Sequence, residues 1–404
     1  MVTGSTEQNG RHDADKRCVY LDNAATSYPK PQCVVDAVRA SLGESLTVAR
    51  STHLASFRGD EVLKRCRVKL ARFFGAKAPE EMIYTYSATD GLNIVINGLV
   101  KPGSHVIVSP LEHHSVMRPL HHMRVDSGVS WDVLPTGPDA IIDPSSIKGV
   151  LRGNTSCVII NWVSNVTGTV QPVQEIGKVV ADLGLPYIVD AAQATGTHPV
   201  DVQAIGCTAM AQPAHKALMS LPGMGVLYIN RDVDIPSWRV GGTGYRSDLL
   251  MQPDDRPVRY ESGTVNVPGV VGLDAAMDWF DEVGIANIRD HCAEMVRLLI
   301  EGLADTERIT VIGPSPDVER GFVVSFIMDD RQGSPVDPMV ISQILAEQYN
   351  ISTRAGLHCS PPAHHKFGTY DRGGTVRFSV SYFTSADDVV YTLGAVRAIV
   401  TELG

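Results

Sequence analysis

The sequence predicts an α/β fold in which a largely parallel sheet with crossover helices is followed by a smaller α+β C-terminal domain. Between about residues 34 and 303, helical patterns alternate with short apolar runs rich in Val, Ile and Tyr, which is typical of buried parallel strands. From about residue 269 the pattern changes to helices followed by isolated strands. The length of 404 residues, with 44% hydrophobic and 20% charged residues, also indicates a globular chain of two domains.

The N-terminal part supplies the strands of the predicted sheet. Apolar residues at helical spacing predict a helix over residues 59–74. Five runs that are stopped by polar or small residues predict strands: EEMIYTYSAT, SHVIVSP, SCVIINWVS, PYIVDAAQA and GVLYINRD. Ligands of open α/β sheets bind beyond the carboxyl ends of strands, so the residues that end such runs are the first candidates for a site. They are Ser87–Thr89, Glu112, His113, Asn165, Asp190 and Lys216.

The C-terminal part predicts helices over about residues 270–283, 287–303 and 338–348. The segments GFVVSFIM and TVRFSVSY predict strands on either side of the last of these helices. We therefore expect a disordered tail over residues 1–17, a large domain over residues 18–265 and a small domain over residues 266–404. The N-terminal segment of the large domain is also able to join the small domain.

Composition excludes several classes of protein. The 35 basic and 45 acidic residues leave a net charge of −10, which argues against a nucleic-acid partner or an anionic membrane partner. Apolar stretches are too short for a membrane-spanning helix, and the polar first seventeen residues lack the apolar core of a signal peptide. The seven cysteines are scattered and form no CxxC pair, which argues against a disulfide framework or a zinc module of the CxxC type and favours a reducing cytoplasm.

Three segments together predict a pyridoxal phosphate (PLP) site. Small residues after a strand, Ser87–Gly91, open an amphipathic helix whose first N–H groups suit a phosphate. Asp190 ends an apolar strand and is able to keep a pyridine nitrogen protonated. Lys216 lies between apolar segments, where desolvation makes its amine a nucleophile that forms a Schiff base. Each segment alone is equally well read as a helix cap, a strand-end cap or a solvated lysine.

The order of several motifs resembles the class V aminotransferase family, and within it the cysteine desulfurases and selenocysteine lyases. The resemblance runs from Tyr20 to about Leu393, and it rests on YLDNAAT (20–26), LEHHS (111–115), SNVTGT (164–169), VDAAQA (189–194), HK (215–216), YESGT (260–264) and RAGLHC (354–359). It implies the fold type I of PLP-dependent transferases, with a seven-stranded sheet in the large domain. It also implies a homodimer whose site lies at the interface between the subunits.

The resemblance implies a role for each matching residue. Lys216 would hold PLP and later move the α-proton of the substrate, Asp190 would pair with the pyridine nitrogen, and His113 would stack on the ring and act as an acid or base. Gln193 would bind the phenolic oxygen, and Asn165 the cofactor or the substrate carboxylate. The phosphate would be bound by Ala88, Thr89 and His215, and by Thr264 of the other subunit.

The remaining candidates concern the substrate. Arg377 and Arg354 are the candidates for the carboxylate of the amino acid, and the family pattern favours Arg377. Cys359 would be the nucleophile that takes the sulfur as a persulfide. We expect the pKa of its thiol to be lowered by nearby imidazoles and an ammonium, since His364, His365 and Lys366 follow it.

The sequence thus predicts a PLP-dependent cysteine desulfurase that acts on L-cysteine or a related amino acid, releases L-alanine and hands its sulfur to an acceptor protein. Selenocysteine lyase, a C–S lyase acting on an S-substituted cysteine and an aminotransferase remain open. So do a zinc-binding protein that uses residues of the cysteine loop (His358, Cys359, His364 and His365) and an inactive scaffold. Pro213, Val265 and Leu357 depart from the usual family pattern, and Pro213 removes a donor near the phosphate.

Overall fold

A computed structural model describes residues 17–44, 46 and 54–403 of the chain. Residues 1–16, the greater part of the expected tail, lie outside these ranges. The helices are α1 (Gln32–Leu42), α2 (Leu54–Phe74), α3 (Ala88–Leu99), α4 (His114–Ser127), α5 (Val173–Asp182), α6 (Val202–Ile205), α7 (Val267–Val283), α8 (Ile285–Ala304), α9 (Pro338–Tyr349), α10 (Pro361–Lys366) and α11 (Ala386–Glu402). The strands are β1 (Val19–Tyr20), β2 (Met82–Thr85), β3 (His105–Val108), β4 (Ser130–Val133), β5 (Thr155–Asn161), β6 (Tyr187–Asp190), β7 (Ala209–Pro213), β8 (Gly225–Ile229), β9 (Ile309–Ile312), β10 (Val323–Met328), β11 (Ile351–Ser352), β12 (Arg354–Gly356) and β13 (Thr375–Ser379).

The central sheet has seven strands in the order β2-β8-β7-β6-β5-β3-β4. Strands β7, β6, β5, β3 and β4 are parallel, whereas β8 runs antiparallel to both of its neighbours. Strands β2, β3, β6, β7 and β8 are buried throughout. Burial on both faces explains why these strands read as continuous apolar runs rather than as alternating patterns. The predicted α/β fold class with a mainly parallel sheet is confirmed.

Two strands of this sheet are absent from the sequence-based prediction. Strand β7 has the sequence AMAQP, in which small residues replace the Val and Ile that mark its neighbours. Strand β4 has the sequence SWDV, and its residues are partly exposed because it lies at the edge of the sheet. In both strands the position in the sheet, rather than the local sequence, determines the conformation.

A second sheet of four antiparallel strands has the order β12-β13-β10-β9. The N-terminal segment lies with it, because β1 pairs with β11 and Asp22 forms a bridge with Ser379 of β13. Helix α7 packs against α1 and α2 and leads into α8, which packs on β9, β10 and α11. The bridge of Asp22 brings the N-terminal segment to β13, the strand that carries Arg377. No helix in the described ranges is long and apolar enough to cross a bilayer.

Helix α5 approaches α6 so closely that only glycine fits at position 177. A Cβ atom there would lie 1.9 Å from the carbonyl oxygen of Ile205 and 3.4 Å from the ring of Tyr187. We predict that Gly177→Ala destabilises the protein by about 1–3 kcal/mol, because backbone and strand must shift to admit the methyl group. The midpoint of thermal unfolding measures this change.

The matched control is Gly394→Ala, at a helical position in α11 where an added Cβ meets open space. This substitution should raise stability by about 0.5–1 kcal/mol, as expected for glycine to alanine within a helix. Equal effects of the two substitutions would contradict the close approach of α5 and α6.

Candidate active site

A cavity of about 90 Å³ lies beyond the carboxyl ends of β5 and β6, where α3 and α4 begin. The predicted cofactor residues that line it are Ala88, Thr89, His113, Asn165, Asp190, Gln193, His215 and Lys216, and they are joined by Ser87, Ser115, Asn161, Ala192 and Pro213. Residues from distant parts of the chain thus meet where the topology of an open α/β sheet places its ligands. Among the residues predicted to bind the cofactor, Thr264 is the one that does not line this cavity.

Lys216 faces the cavity from the loop after β7. Its amine is largely removed from water, and this burial lowers its pKa to about 8, although the charge of Asp190 acts in the opposite direction. The backbone at this position is held from outside the cavity. Ser27 Oγ donates to the carbonyl of Lys216 (2.7 Å), and Lys30 Nζ donates to the carbonyl of His215 (2.8 Å). The lysine is therefore both chemically activated and fixed in position.

Asp190 ends β6 with its carboxylate buried at the cavity wall. Burial raises the pKa of this carboxyl, while a hydrogen bond from the N–H of Ala192 to Oδ1 (3.0 Å) and one from the side chain of Asn161 oppose that rise. Beside it, Gln193 Nε2 donates to the carbonyl of Ala24 (3.0 Å). This arrangement places a buried, hydrogen-bonded carboxylate at the end of a strand, which suits a protonated ring nitrogen as partner.

His113 is the N-cap residue of α4 and lines the cavity. Its Nδ1 accepts from the N–H of Ser115 (3.1 Å), so in the neutral ring the proton lies on Nε2. Burial, and then the charge of Lys216, lower its pKa to about 3, which keeps the ring neutral at physiological pH. Ser115 Oγ also lies 2.7 Å from Oγ1 of Thr89, linking the first turns of α3 and α4. A neutral imidazole can stack on an aromatic ring without electrostatic cost.

Glu112 is completely buried directly before His113. Its Oε1 accepts from Ser109 Oγ (2.6 Å) and from the N–H of Asn161 (2.8 Å), which ties the ends of β3 and β5 together. Its Oε2 has no hydrogen-bond partner among the described residues. Burial raises the pKa of this carboxyl to about 8, and the nearby charge of Asp190 adds to the rise. The neutral acid thus leaves Asp190 as the negative charge of this region.

Cys359 lies in a loop whose backbone is held on both sides. Asn165 Nδ2 donates to the carbonyl of His358 (2.6 Å), and the N–H of His114 donates to the carbonyl of Cys359 (2.8 Å). Ser360 Oγ donates to the carbonyl of Glu112 (2.9 Å). His358 and Cys359 have φ angles of 48° and 60°, a left-handed conformation that costs free energy at residues other than glycine. The loop is therefore fixed against the start of α4 at the expense of local strain.

The side chains predicted to lie near the Cys359 thiol have other contacts. His364 Nδ1 bonds with Oγ1 of Thr369, the ring of His365 stacks on Tyr370, and Lys366 Nζ donates to the carbonyl of Thr136. These residues belong to the short helix α10. The cation at the thiol is instead Arg354, whose Nη2 lies 3.7 Å from Sγ.

The zinc alternative requires the same four loop residues to converge on one point. His358 Nε2 contacts Oγ1 and the carbonyl of Thr375, and the other two histidines have the separate contacts given above. In the part of the chain that the structure describes, no group of three or more His, Cys, Asp or Glu side chains is placed to hold a metal ion.

The two candidate arginines lie opposite each other on β12 and β13. Arg377 is buried, and its Nη2 forms an ion pair with Asp22 (2.8 Å) while Nη1 donates to the carbonyl of Asn165 (3.1 Å). Its Nε has no hydrogen-bond partner among the described residues. Arg354 is less buried and contacts the thiol. One arginine is thus anchored beside the cavity-lining Asn165, and the other reaches the nucleophile.

Sequence reasoning missed several residues that shape the site. Asn161 bonds to Asp190, and Ser115 bonds to His113. Asp22 forms the ion pair with Arg377, and Lys30 supports the backbone before Lys216. Ser115 and Asp22 stand inside the motifs LEHHS and YLDNAAT, so those motifs offered a signal. Asn161 ends a strand as the candidates do. Nothing in the sequence pattern connects Lys30 with a residue that lies so far along the chain.

The comparisons with known proteins agree over nearly the whole chain. The family model described as "Aminotransferase class-V" matches residues 19–391. A probable cysteine desulfurase of Methanothermobacter thermautotrophicus is 32% identical over 92% of this chain and 92% of its own. The apo structure of a cysteine desulfurase from Thermococcus onnurineus has a TM-score of 0.86 and 30% identity, and covers 96% of this chain and 95% of its own. A cysteine desulfurase from Escherichia coli, solved as the S-sulfonic acid, has a TM-score of 0.85 and 25% identity, with 96% of each chain covered.

Burial of Glu112 generates a prediction for stability as a function of pH. Its pKa is about 8 in the folded protein against 4.5 for an unperturbed carboxyl, so between these values the folded state holds the extra proton. Wild-type stability should therefore fall as pH rises through this window, at up to about 1.4 kcal/mol per pH unit. Glu112→Gln keeps the shape but cannot ionise, so it should lose less stability over the same range.

Thermal unfolding midpoints of both proteins near pH 5 and near pH 8 test this prediction. The unfolding midpoint of Glu112→Gln minus that of the wild type should be larger near pH 8 than near pH 5. A constant difference would mean that Glu112 is ionised in the folded protein.

Proposed function

The chain belongs to the class V aminotransferase family, and we propose that it is a PLP-dependent cysteine desulfurase that converts L-cysteine to L-alanine and retains the sulfur as a persulfide on Cys359. The observation that carries this proposal is the position of the cysteine loop. Cys359 lines an open groove together with Thr89, His113 and Ser115, and these three residues also line the cavity of Lys216. The thiol and the activated lysine thus line two adjoining spaces that have these three residues in common.

The residues of the cavity fit PLP. Buried polar atoms without a hydrogen-bond partner in the described part of the chain include Oδ1 of Asn165, Oδ1 of Asn161 and Nδ1 of His215, all on residues that line it. Such unpaired groups are costly unless a ligand satisfies them. Lys216 would hold the aldehyde, Asp190 the ring nitrogen and Gln193 the phenolic oxygen, with His113 against the ring. Ala88, Thr89 and His215 would hold the phosphate, since the first-turn N–H groups of α3 have no intrahelical partners.

Bound PLP supplies an electron sink for the negative charge that develops on the α-carbon of the substrate. Lys216 Nζ, whose pKa of about 8 leaves part of it unprotonated near neutral pH, takes the α-proton and moves it within the site. The thiolate of Cys359 attacks the sulfur of the substrate. An S–S bond forms while the bond from sulfur to the β-carbon breaks, and its electron pair stays with the carbon skeleton, which leaves as alanine after protonation.

The substrate carboxylate is bound by Arg377, whose buried guanidinium lies against Asn165 and whose Nε has no hydrogen-bond partner among the described residues. Asp22 fixes the orientation of the guanidinium and leaves Nε as the donor for the carboxylate. Arg354 acts at the other end of the substrate. Its Nη2 lies 3.7 Å from Sγ of Cys359, so its positive charge stands beside the atom that attacks the substrate sulfur.

The active form is a homodimer in a reducing compartment such as the cytoplasm. Thr264 lines a separate groove of about 710 Å³ together with apolar residues, among them Leu63, Val258 and Val267. The nearby loop exposes Tyr245, Leu249, Leu250 and Met251 to solvent. Apolar surface of this extent suits a second copy of the chain, which would bring Thr264 to the phosphate of the partner's site. Seven free cysteines fit reducing conditions.

We predict that the holoenzyme, given L-cysteine and a reductant, forms alanine and sulfide in equal amounts. Cys359→Ala should lower both rates roughly 100-fold or more, since it removes the nucleophile, and a 100-fold loss corresponds to ~2.7 kcal/mol in the barrier. Chromatography for alanine and a colorimetric assay for sulfide give the two rates.

Cys18→Ala is the matched control, because Cys18 is also a free thiol but an exposed one outside the site. It should keep the wild-type rates. Formation of pyruvate and ammonia, or full activity of Cys359→Ala, would refute the desulfurase and favour a C–S lyase that eliminates sulfur without a thiol.

A further inference from the structure

Cys359 lines a groove between α3 and α4 that has Thr89, His113 and Ser115 in common with the cavity around Lys216, and we name it the α3–α4 groove. Its volume is about 510 Å³, far more than the 90 Å³ of the cavity around Lys216. Beyond the residues shared with the cavity it is lined by Asn93 and Asn97 of α3, His114, Arg118 and His122 of α4, and the exposed Trp238. A volume of several hundred Å³ is typical of sites that bind a whole small molecule. L-cysteine alone would fill only a small part of it.

The inner end of the α3–α4 groove is positively charged. Arg118 lines it from the second turn of α4, and its charge contributes to the lowered pKa of His113 and of His114, which line the same groove. Arg354 lies at the thiol itself. The first turn of α4, where the helix dipole is positive, also lies at the thiol, because the N–H of His114 donates to the carbonyl of Cys359. The charges near the thiol therefore favour an anionic ligand.

The acidic residue among the described lining residues, Asp126, belongs to the outer end. It stands eight residues after Arg118 on α4, which corresponds to about 12 Å along the helix. A ligand with its negative charge close to its reacting atom thus fits the groove better than one that is negative along its whole length. Trp238 adds an exposed apolar surface for the carbon skeleton of such a ligand.

We propose that the α3–α4 groove binds the sulfur acceptor of Cys359, and that this acceptor is a small thiol with an anionic group beside its sulfur rather than the acceptor protein that the family resemblance implies. This inference rests on the proposed function. The thiolate of the acceptor attacks the outer sulfur of the Cys359 persulfide and forms a new S–S bond. The bond between that sulfur and Sγ breaks, its electron pair returns to Sγ as thiolate, and the acceptor leaves as a persulfide. No further oxidant or reductant enters the step.

The first test compares two thiols as acceptors for holoenzyme preloaded with L-cysteine. Mercaptosuccinate is anionic beside its sulfur, and 2-mercaptoethanol is neutral. Arg118→Gln should lower the rate of persulfide discharge by mercaptosuccinate roughly three- to fivefold, as expected for one partly exposed charge, with the loss confined to the anionic thiol. Arg124→Gln removes the same charge from the other side of α4, where Arg124 lies over the ring of Trp131, and should change neither rate.

The second test needs no persulfide. Succinate, the analogue without a thiol, should protect Cys359 of the holoenzyme from alkylation by iodoacetamide, as measured by mass spectrometry of the cysteine peptides. Protection should be lost in Arg118→Gln and kept in Arg124→Gln. The extent of alkylation of Cys18, and likewise that of Cys33, should be the same with and without succinate in every variant.

Each outcome separates this inference from the proposed function. Absence of a persulfide in the wild type would refute the desulfurase, while the succinate test would still decide the ligand of the groove. Three results would overturn the anionic acceptor. In Arg118→Gln these are an equal loss of discharge rate with both thiols or an unchanged rate with mercaptosuccinate. In the wild type it is the absence of protection of Cys359 by succinate. A raised KM for L-cysteine in Arg118→Gln would assign the groove to the substrate instead.

Discussion

The hydrogen bonds that hold residues 358–360 against the start of α4 are the constraint on which the rest of the site depends. They connect a loop between two small strands of the second sheet with the carboxyl ends of the central sheet, through Asn165, His114 and Glu112. Without them the thiol of Cys359 and the amine of Lys216 would belong to separate parts of the molecule. The left-handed backbone at His358 and Cys359 indicates that the surrounding contacts compensate for local strain.

Burial is the second physical theme, because it adjusts the charge of nearly every group in the site. It lowers the pKa of Lys216 and His113 and raises that of Asp190 and Glu112. The carboxyls of Glu112 and Asp190 have different hydrogen-bond partners and different roles. Glu112 stays neutral and structural, whereas Asp190 faces the cavity. Titratable groups whose pKa values are shifted by burial are typical of catalytic centres.

Much of this arrangement could be predicted from the sequence. Apolar runs identified strands β2, β3, β5, β6 and β8, and the residues at their ends pointed to the cavity. What could not be predicted depends on contacts between distant segments. The ion pair of Arg377 with Asp22 joins opposite ends of the chain, and Lys30 reaches the backbone before Lys216. The cation at the thiol was missed because closeness in sequence was taken for closeness in space. His364 and Lys366 contact Thr369 and Thr136, whereas Arg354 of strand β12 lies at the thiol.

The claim that thiol and lysine work as one site is tested most directly by a single turnover without reductant. The holoenzyme would be mixed with L-cysteine, the alanine released per subunit counted, and the intact protein and its peptides weighed by mass spectrometry. The account predicts one alanine per subunit and one added sulfur atom, located on Cys359. Alanine without added sulfur, or sulfur on any other cysteine, would contradict it.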